Sequence, residues 1–138
     1  MIPMKQPARI LVVDDSDDDV FFLRRAFAKT GLSPSIAHAP DGEKALEHLL
    51  KTAPLPDLIT LDLKMPRLDG FGMLERLRNH PRLANVPVVI LTASFLEEDK
   101  NKAKALGARA FFTKPASSED LIALVTNISQ QWLPALAA

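Results

Sequence analysis

Short apolar runs alternate along this chain with longer stretches in which apolar residues recur every three or four positions. The first run, Arg9 to Val13 (RILVV), stops abruptly at Asp14-Asp15. Ser16 then precedes Asp17, Asp18 and Asp19, and Val20, Leu23 and Phe27 follow at helical spacing until Gly31 closes the element. Ser16 is placed to cap this helix, Asp19 completes a capping box, and acidic side chains suit the positive end of the helix dipole. Ser35 to Ala39 (SIAHA) reads as a weaker second strand, and Asp41-Gly42 turns the chain into a helix with Ala45, Leu46, Leu49 and Leu50 on one side.

Leu58, Ile59, Thr60 and Leu61, preceded by Pro54 and Pro56, form a third, buried strand. Asp62 stands where it runs out, Met65-Pro66 stops it, and Leu68-Asp69-Gly70 turns the chain toward a helix from Phe71 to Asn79 with Phe71, Leu74 and Leu77 in register. That helix ends near His80-Pro81. Val86 to Leu91 (VPVVIL) is the fourth strand, with Pro87 at its start, and Thr92-Ala93-Ser94 follows directly. From Leu96 to Leu106 the composition is helical, but Leu96, Ala103 and Leu106 give a thin apolar face, so this helix is expected to be loosely held. Gly107 ends it. Ala110 to Thr113 (AFFT) is the fifth strand, Lys114-Pro115 ends that, and Ser117 with Asp120 boxes the start of a last helix striped by Leu121, Val125, Ile128 and Trp132.

Strands alternating with amphipathic helices are best accommodated as a parallel sheet covered on both faces and joined by right-handed crossovers. Ligands of such sheets bind beyond the carboxyl ends of the strands. The polar residues gather there: Asp14 and Asp15 after strand one, Asp62 after strand three, Thr92 after strand four, Lys114 after strand five. A buried strand-end carboxylate is costly unless cations or donors meet it, so this edge is the candidate site.

A chain of 138 residues with 47% apolar content suits one domain, 1–138 with a core of about 8–132. Lysines and arginines number 17, as do aspartates and glutamates, so no basic field recruits nucleic acid or an anionic membrane. Absence of cysteine excludes disulfides and thiolate metal sites. No apolar run approaches the roughly 20 residues that span a bilayer, and the opening MIPMKQPARI is too short and proline-broken for a signal peptide, so a cytoplasmic protein is expected.

VVDDS, LDLKMPRLDG, ILTAS and FFTKP, in this order and over nearly the whole chain, resemble the receiver domain of two-component response regulators. The resemblance implies a doubly wound, flavodoxin-like fold of strand order 2-1-3-4-5. It also implies a divalent cation, and phosphorylation of one aspartate by a sensor histidine kinase or a histidine phosphotransfer protein. Mapped by these motifs, Asp62 is the phosphoacceptor, Asp14 and Asp15 the acidic pair, Thr92 and Lys114 the switch residues, and Phe111 their aromatic partner. The chain ends after the fifth helix and so resembles the stand-alone members, which carry no output domain. Its acidic helix start and Trp-Leu-Pro tail are similar to the small regulators that accompany bacterial phytochrome kinases.

The chemistry agrees with these roles. Carboxylates about 4 Å apart repel by roughly 4 kcal/mol at an effective dielectric of about 20, so three of them at one site call for a hard cation, Mg²⁺ or Mn²⁺. Asp15, Asp62 and the backbone carbonyl of Lys64 are assigned as direct ligands, with Asp14 acting through water. Asp62 attacks phosphorus while the cation and Lys114 neutralise the equatorial oxygens. The resemblance further implies that the new dianion draws in Thr92, that Phe111 turns into the vacated space, and that the helix from Leu96 to Leu106 shifts. Lys64 and Ser94 border the site and are expected to set the phosphate lifetime. Such a protein is no conventional enzyme, since it catalyses only its own phosphorylation and dephosphorylation.

Plainer readings stand beside each role. Thr92 can simply end a strand, Lys114 can be a solvated lysine, and Phe111 can be core. Asp17 to Asp19 read as a solvated helix start, with metal binding as the lesser option; Lys100, Lys102, Lys104 and Arg109 read as a wet basic face. His38, His48 and His80 lack metal-ligand spacing and are read as ordinary. A phosphatase of the dehalogenase kind would place a general acid two positions after its aspartate, where Lys64 stands. A receiver-like scaffold that is never phosphorylated is the other rival. Ile122, Leu124, Trp132, Leu133, Pro134 and Leu136 offer more apolar surface than a monomer hides easily, so a symmetric homodimer through helix four, strand five and helix five is expected.

Overall fold

The computed structural model describes residues 7–65 and 67–133. The strands are β1 (Arg9–Val13), β2 (Ser35–Ala39), β3 (Leu58–Leu61), β4 (Val88–Thr92) and β5 (Ala110–Thr113). The helices are α1 (Asp17–Lys29), α2 (Gly42–Lys51), α3 (Gly70–Asn79), α4 (Glu97–Ala105) and α5 (Ser118–Trp132). All strand pairs are parallel, as the alternation led one to expect, and the sheet order is β2-β1-β3-β4-β5, the doubly wound arrangement that the motif resemblance implied.

Alternate strand residues feed two cores. Leu11, Val13, Ile59, Leu61, Val88 and Ile90 meet Ala45 and Leu49 of α2, Met73, Leu74 and Leu77 of α3, and Ala103 of α4. Ile10, Val12, Leu58, Val89 and Leu91 meet Val20, Leu23, Ala26 and Phe27 of α1 and Val125 and Ile128 of α5. Because both faces are covered, the strands read as continuous apolar runs instead of alternating. Ala103 is the one buried residue of α4, as its thin apolar face foretold.

Several elements differ from the sequence reading. β4 begins at Val88, two residues late, because Pro87 has no N–H for the ladder; its carbonyl accepts instead from Ile59 N–H at 2.9 Å. The strand runs one residue further than expected, so Thr92 is its last residue. On α2 the inward stripe is Ala45 and Leu49, whereas Leu50 is 53% exposed, since it lies one residue past the buried line. On α3 the inner face is Met73, Leu74 and Leu77; Phe71, in the first turn, is only partly buried and carries the Lys102 ammonium 4.4 Å above its ring. Lys102 is therefore engaged, in a face expected to be merely wet.

The apolar surface expected on α5 is partly used within the chain. Ile122 and Leu124 pack against the α1/α5 core, and Trp132 meets Phe112 edge-on with ring centroids 6.4 Å apart. Exposed large apolar side chains sit elsewhere, at Phe21, Phe22, Leu50, Phe95 and Leu96. Pro66, Pro134 and Leu136 lie outside the described residues. No described helix is long and apolar enough to cross a membrane.

Candidate functional site

Register builds the site. Val13 pairs with Leu61, so Asp14 and Asp62 leave adjacent strands side by side. The Asp62 N–H donates to Val13 O at 3.0 Å, and the Asp14 N–H to Ala39 O at 3.1 Å, which carries the ladder one residue past each strand. Beyond Asp62, Gly70 N–H donates to Leu63 O at 3.1 Å, and a Cβ at Gly70 would lie 2.6 Å from the Asp62 carbonyl oxygen. Glycine is needed there to let α3 close on the turn.

Carboxylate oxygens of Asp14, Asp15 and Asp62 lie within 4.8 Å of one another. Asp14, Asp62 and Thr92 are buried, while Asp15 is exposed. Lys114 reaches into this group: its Nζ is 2.8 Å from Asp14 Oδ2 and 2.9 Å from Asp62 Oδ2. The other Asp62 oxygen accepts from the Thr92 hydroxyl at 2.7 Å and from the Lys64 N–H at 3.2 Å. Both oxygens of Asp62 are thus met by donors, and residues from four strand ends converge as the sequence implied.

Burial pushes the Asp14 carboxyl above its ordinary range, and hydrogen bonds from Lys114 and from the Ser16 N–H pull against that rise. Burial works to lower the Lys114 pKa, but hydrogen bonds to Asp14, Asp19 and Asp62 outweigh it and hold the ammonium well above its usual value. The proton on Lys114 is therefore fixed across the physiological range.

Two site residues escaped the sequence reading. Asp19 belongs by sequence to a solvated helix start, yet its Oδ2 is 2.6 Å from Lys114 Nζ. The capping box is only half formed for this reason: Ser16 Oγ accepts from Asp19 N–H at 3.2 Å, but the Ser16 N–H turns to Asp14 Oδ1 at 2.9 Å. Nothing in the run Asp17–Asp19 singles Asp19 out in the sequence; its place in the first turn of α1 brings it to Lys114. His38, read as ordinary, has Nε2 2.8 Å from the Asp14 carbonyl oxygen. Separation in sequence hid it, whereas adjacency of the first two strands would have exposed it.

The remaining expected residues surround this centre. Phe111 is half-buried on the α2/α3/α4 face, paired with Ile90, the face to which strand alternation assigns Thr92. The Lys64 side chain is exposed at the rim. Ser94 is buried; its hydroxyl donates to Asp99 Oδ2 at 2.6 Å and accepts from Leu96 N–H at 3.2 Å, while its carbonyl accepts from the Thr113 hydroxyl at 2.8 Å. Ser94 therefore ties the β4–α4 loop to the start of α4 and to β5. Beside Lys114 a groove of about 310 Å³ opens between α1 and the β5–α5 connection, walled in part by Phe22, Leu121 and Ile122.

Removing the central ammonium leaves mutually repelling carboxylates. Breaking a buried pair costs about 3–5 kcal/mol, and partial exposure of Asp19 reduces this, so Lys114→Met is expected to lose about 2 kcal/mol in metal-free, low-salt buffer. Urea unfolding checks this, and millimolar Mg²⁺ should recover part of the loss.

Comparison with known proteins agrees with this geometry. The response regulator receiver domain family matches residues 10–126. The chain is 32% identical over 96% of its length to the probable methanogenesis regulatory protein FilR2 of Methanothrix harundinacea, spanning 88% of that protein. It is 31% identical over 92% of its length to response regulator Rcp1 of Synechocystis sp., spanning 90% of it. The Mn²⁺-bound form of Rcp1 aligns with a TM-score of 0.83 at 30% identity, covering 94% of this chain and 96% of that one. The phosphorylated cyanobacterial phytochrome response regulator RcpA aligns with a TM-score of 0.85 at 29% identity, covering 94% of this chain and all of that one. With its acidic pocket for phosphorylation formed by Asp14, Asp15 and Asp62, the chain belongs to the receiver domains of two-component response regulators, which are signalling proteins and not conventional enzymes.

Proposed function

We propose that Asp62 accepts a phosphoryl group from the phosphohistidine of a sensor histidine kinase or a histidine phosphotransfer protein, and that this modification switches partner binding through the α4–β5–α5 face. The observation that carries the reading is the meeting of the Lys114 ammonium and the Thr92 hydroxyl on the two oxygens of Asp62. In transfer, an oxygen of Asp62 forms the bond to phosphorus as the donor N–P bond breaks, and the departing imidazole keeps the electron pair. Lys114 meets the charge on the phosphoryl oxygens, and the Thr92 hydroxyl turns from the carboxylate to the phosphoryl group. The groove beside Lys114, walled by α1 and the β5–α5 connection, offers the donor protein a surface next to the site.

The donor set suits a hard divalent cation, since Asp14, Asp15 and Asp62 supply only oxygen within 4.8 Å and already draw in one ammonium. Asp15, Asp62 and the Lys64 carbonyl would hold Mg²⁺ or Mn²⁺ directly and Asp14 through water; Rcp1 has a Mn²⁺-bound form. When bound, the cation supplies positive charge against the phosphoryl oxygens.

FilR2 and Rcp1 are matched over most of their own lengths, which supports a regulator built on one receiver domain. Similarity to RcpA supports a bacterial phytochrome as the kinase. Switching uses Thr92, Phe111 and the lightly packed α4. Thr92 and Lys114 already bond the Asp62 carboxylate, so phosphorylation exchanges these contacts for ones to a dianion, and the difference between the two sets drives the switch. Phe95 and Leu96, 82% and 47% exposed just ahead of α4, add apolar surface to the face proposed for a homodimer.

Incubation with acetyl phosphate and Mg²⁺ should add one phosphoryl group by intact mass, and Asp62→Asn should add none. An unmodified wild-type protein, or equal labelling of the variant, would overturn the reading. Substitutions at Lys64 and at Ser94 should change the decay of the phosphorylated protein several-fold with little change in uptake; equal effects on both rates would remove their tuning role. Phe111→Ala should still be phosphorylated but lose the dependence of partner affinity on phosphorylation in binding titrations, and an unaltered affinity and dependence would exclude Phe111 as the relay.

A further inference from the structure

The Asp14–Asp15 pair is gripped from the side of the sheet opposite β3. Asp14 N–H donates to Ala39 O at 3.1 Å, and the Asp14 carbonyl lies 2.8 Å from His38 Nε2. Consecutive residues at the end of β2 thus hold both polar groups of the Asp14 main chain. A carbonyl oxygen accepts only, so Nε2 carries the hydrogen and donates it.

The need for a side chain here follows from the ladder. Ser35 N–H donates to Ala8 O at 2.8 Å, and the same parallel pattern, advancing two residues at a time, would next assign Asp41 N–H to the Asp14 carbonyl. β2 ends at Ala39, however, and Asp41 is the N-cap of α2. His38, beside Val12 in the register, extends the ladder one step past the end of the strands by using its ring.

The bond fixes the peptide that leads into Asp15. Asp14 has its side chain held by Lys114 and the Ser16 N–H, and Asp62 by Lys114, Thr92 and the Lys64 N–H. Asp15 is the exposed member of the group, and its carboxylate is aimed by its main chain. We propose that His38 is a positioning residue: its Nε2–H sets the Asp14–Asp15 peptide so that the Asp15 carboxylate stays within cation-sharing distance of Asp62. This rests on the reading of the acidic pocket as a divalent-cation site.

The test compares His38→Gln, whose amide nitrogen reaches about as far as Nε2, with His38→Asn, whose shorter amide stops near the Nδ1 position. Mn²⁺ titration by calorimetry should find the Gln variant close to wild type and the Asn variant about tenfold weaker, the scale of losing an outer-shell partner. Without metal, the two variants should melt together, yet the backbone amide resonances of Asp15 and Ser16 should move in the Asn variant and stay in the Gln variant. Wild-type binding of Mn²⁺ with equal affinities in both variants, whether both retained or both lost, would overturn the role of His38. Failure of the wild-type protein itself to bind Mn²⁺ would overturn the cation reading and this inference with it.

Discussion

Negative charge concentrated at the carboxyl edge of the sheet is the constraint from which the rest of the site follows. Parallel pairing of β1 with β3 forces Asp14 and Asp62 together, and Asp15 comes with them. At an effective dielectric of about 20, each close pair of carboxylates costs a few kcal/mol, more than any single side-chain hydrogen bond returns. Lys114 answers this from the end of β5 by touching Asp14, Asp19 and Asp62 at once. One ammonium against this many carboxylates leaves the pocket net negative, which is why a hard cation fits and why a phosphoryl group needs one beside it.

The sheet divides the surroundings of the site into a densely packed side and a lightly packed one. Lys114 alternates with Phe112 and Ala110 toward the α1/α5 side, and its bond to Asp19 ties it to α1. Thr92 and Phe111 belong to the other side, where α4 contributes only Ala103 to the core. A perturbation of Asp62 is thus felt on one side by packed helices and on the other by the least anchored helix of the fold. The 2.7 Å bond from Thr92 to Asp62 is where the two sides meet.

Much of this was legible in the sequence because strand ends in a parallel sheet are marked twice, by the close of an apolar run and by the polar residue after it. Asp14, Asp62 and Lys114 were found in that way. The order of the strands came from the motif resemblance, since periodicity gives the elements and not their neighbours. What stayed hidden depended on contacts across elements. Asp19 is indistinguishable from Asp17 and Asp18 by composition, and only the rotation of α1 brings it to Lys114. Ser94 was visible as a neighbour of the site, but its bonds to Asp99 and Leu96 required the shape of the loop. Leu50 was misjudged because a stripe of adjacent leucines is wider than the surface that α2 buries.

The β4–α4 loop shows how a small displacement is kept from dissipating. It leaves the sheet at Thr92, and two residues later Ser94 is bonded forward to Asp99 inside the first turn of α4 and sideways to Thr113 on β5. Thr113 is itself the register partner of Thr92, and Lys114 N–H donates to Thr92 O at 2.7 Å. The loop is therefore stiff where most loops are compliant, joined at both ends to residues that answer to the same carboxylate. A shift of Thr92 toward the pocket cannot be absorbed by slack between Ala93 and Leu96. Under the proposed switch it would be passed to α4, whose shallow packing makes it the element that yields at lowest cost.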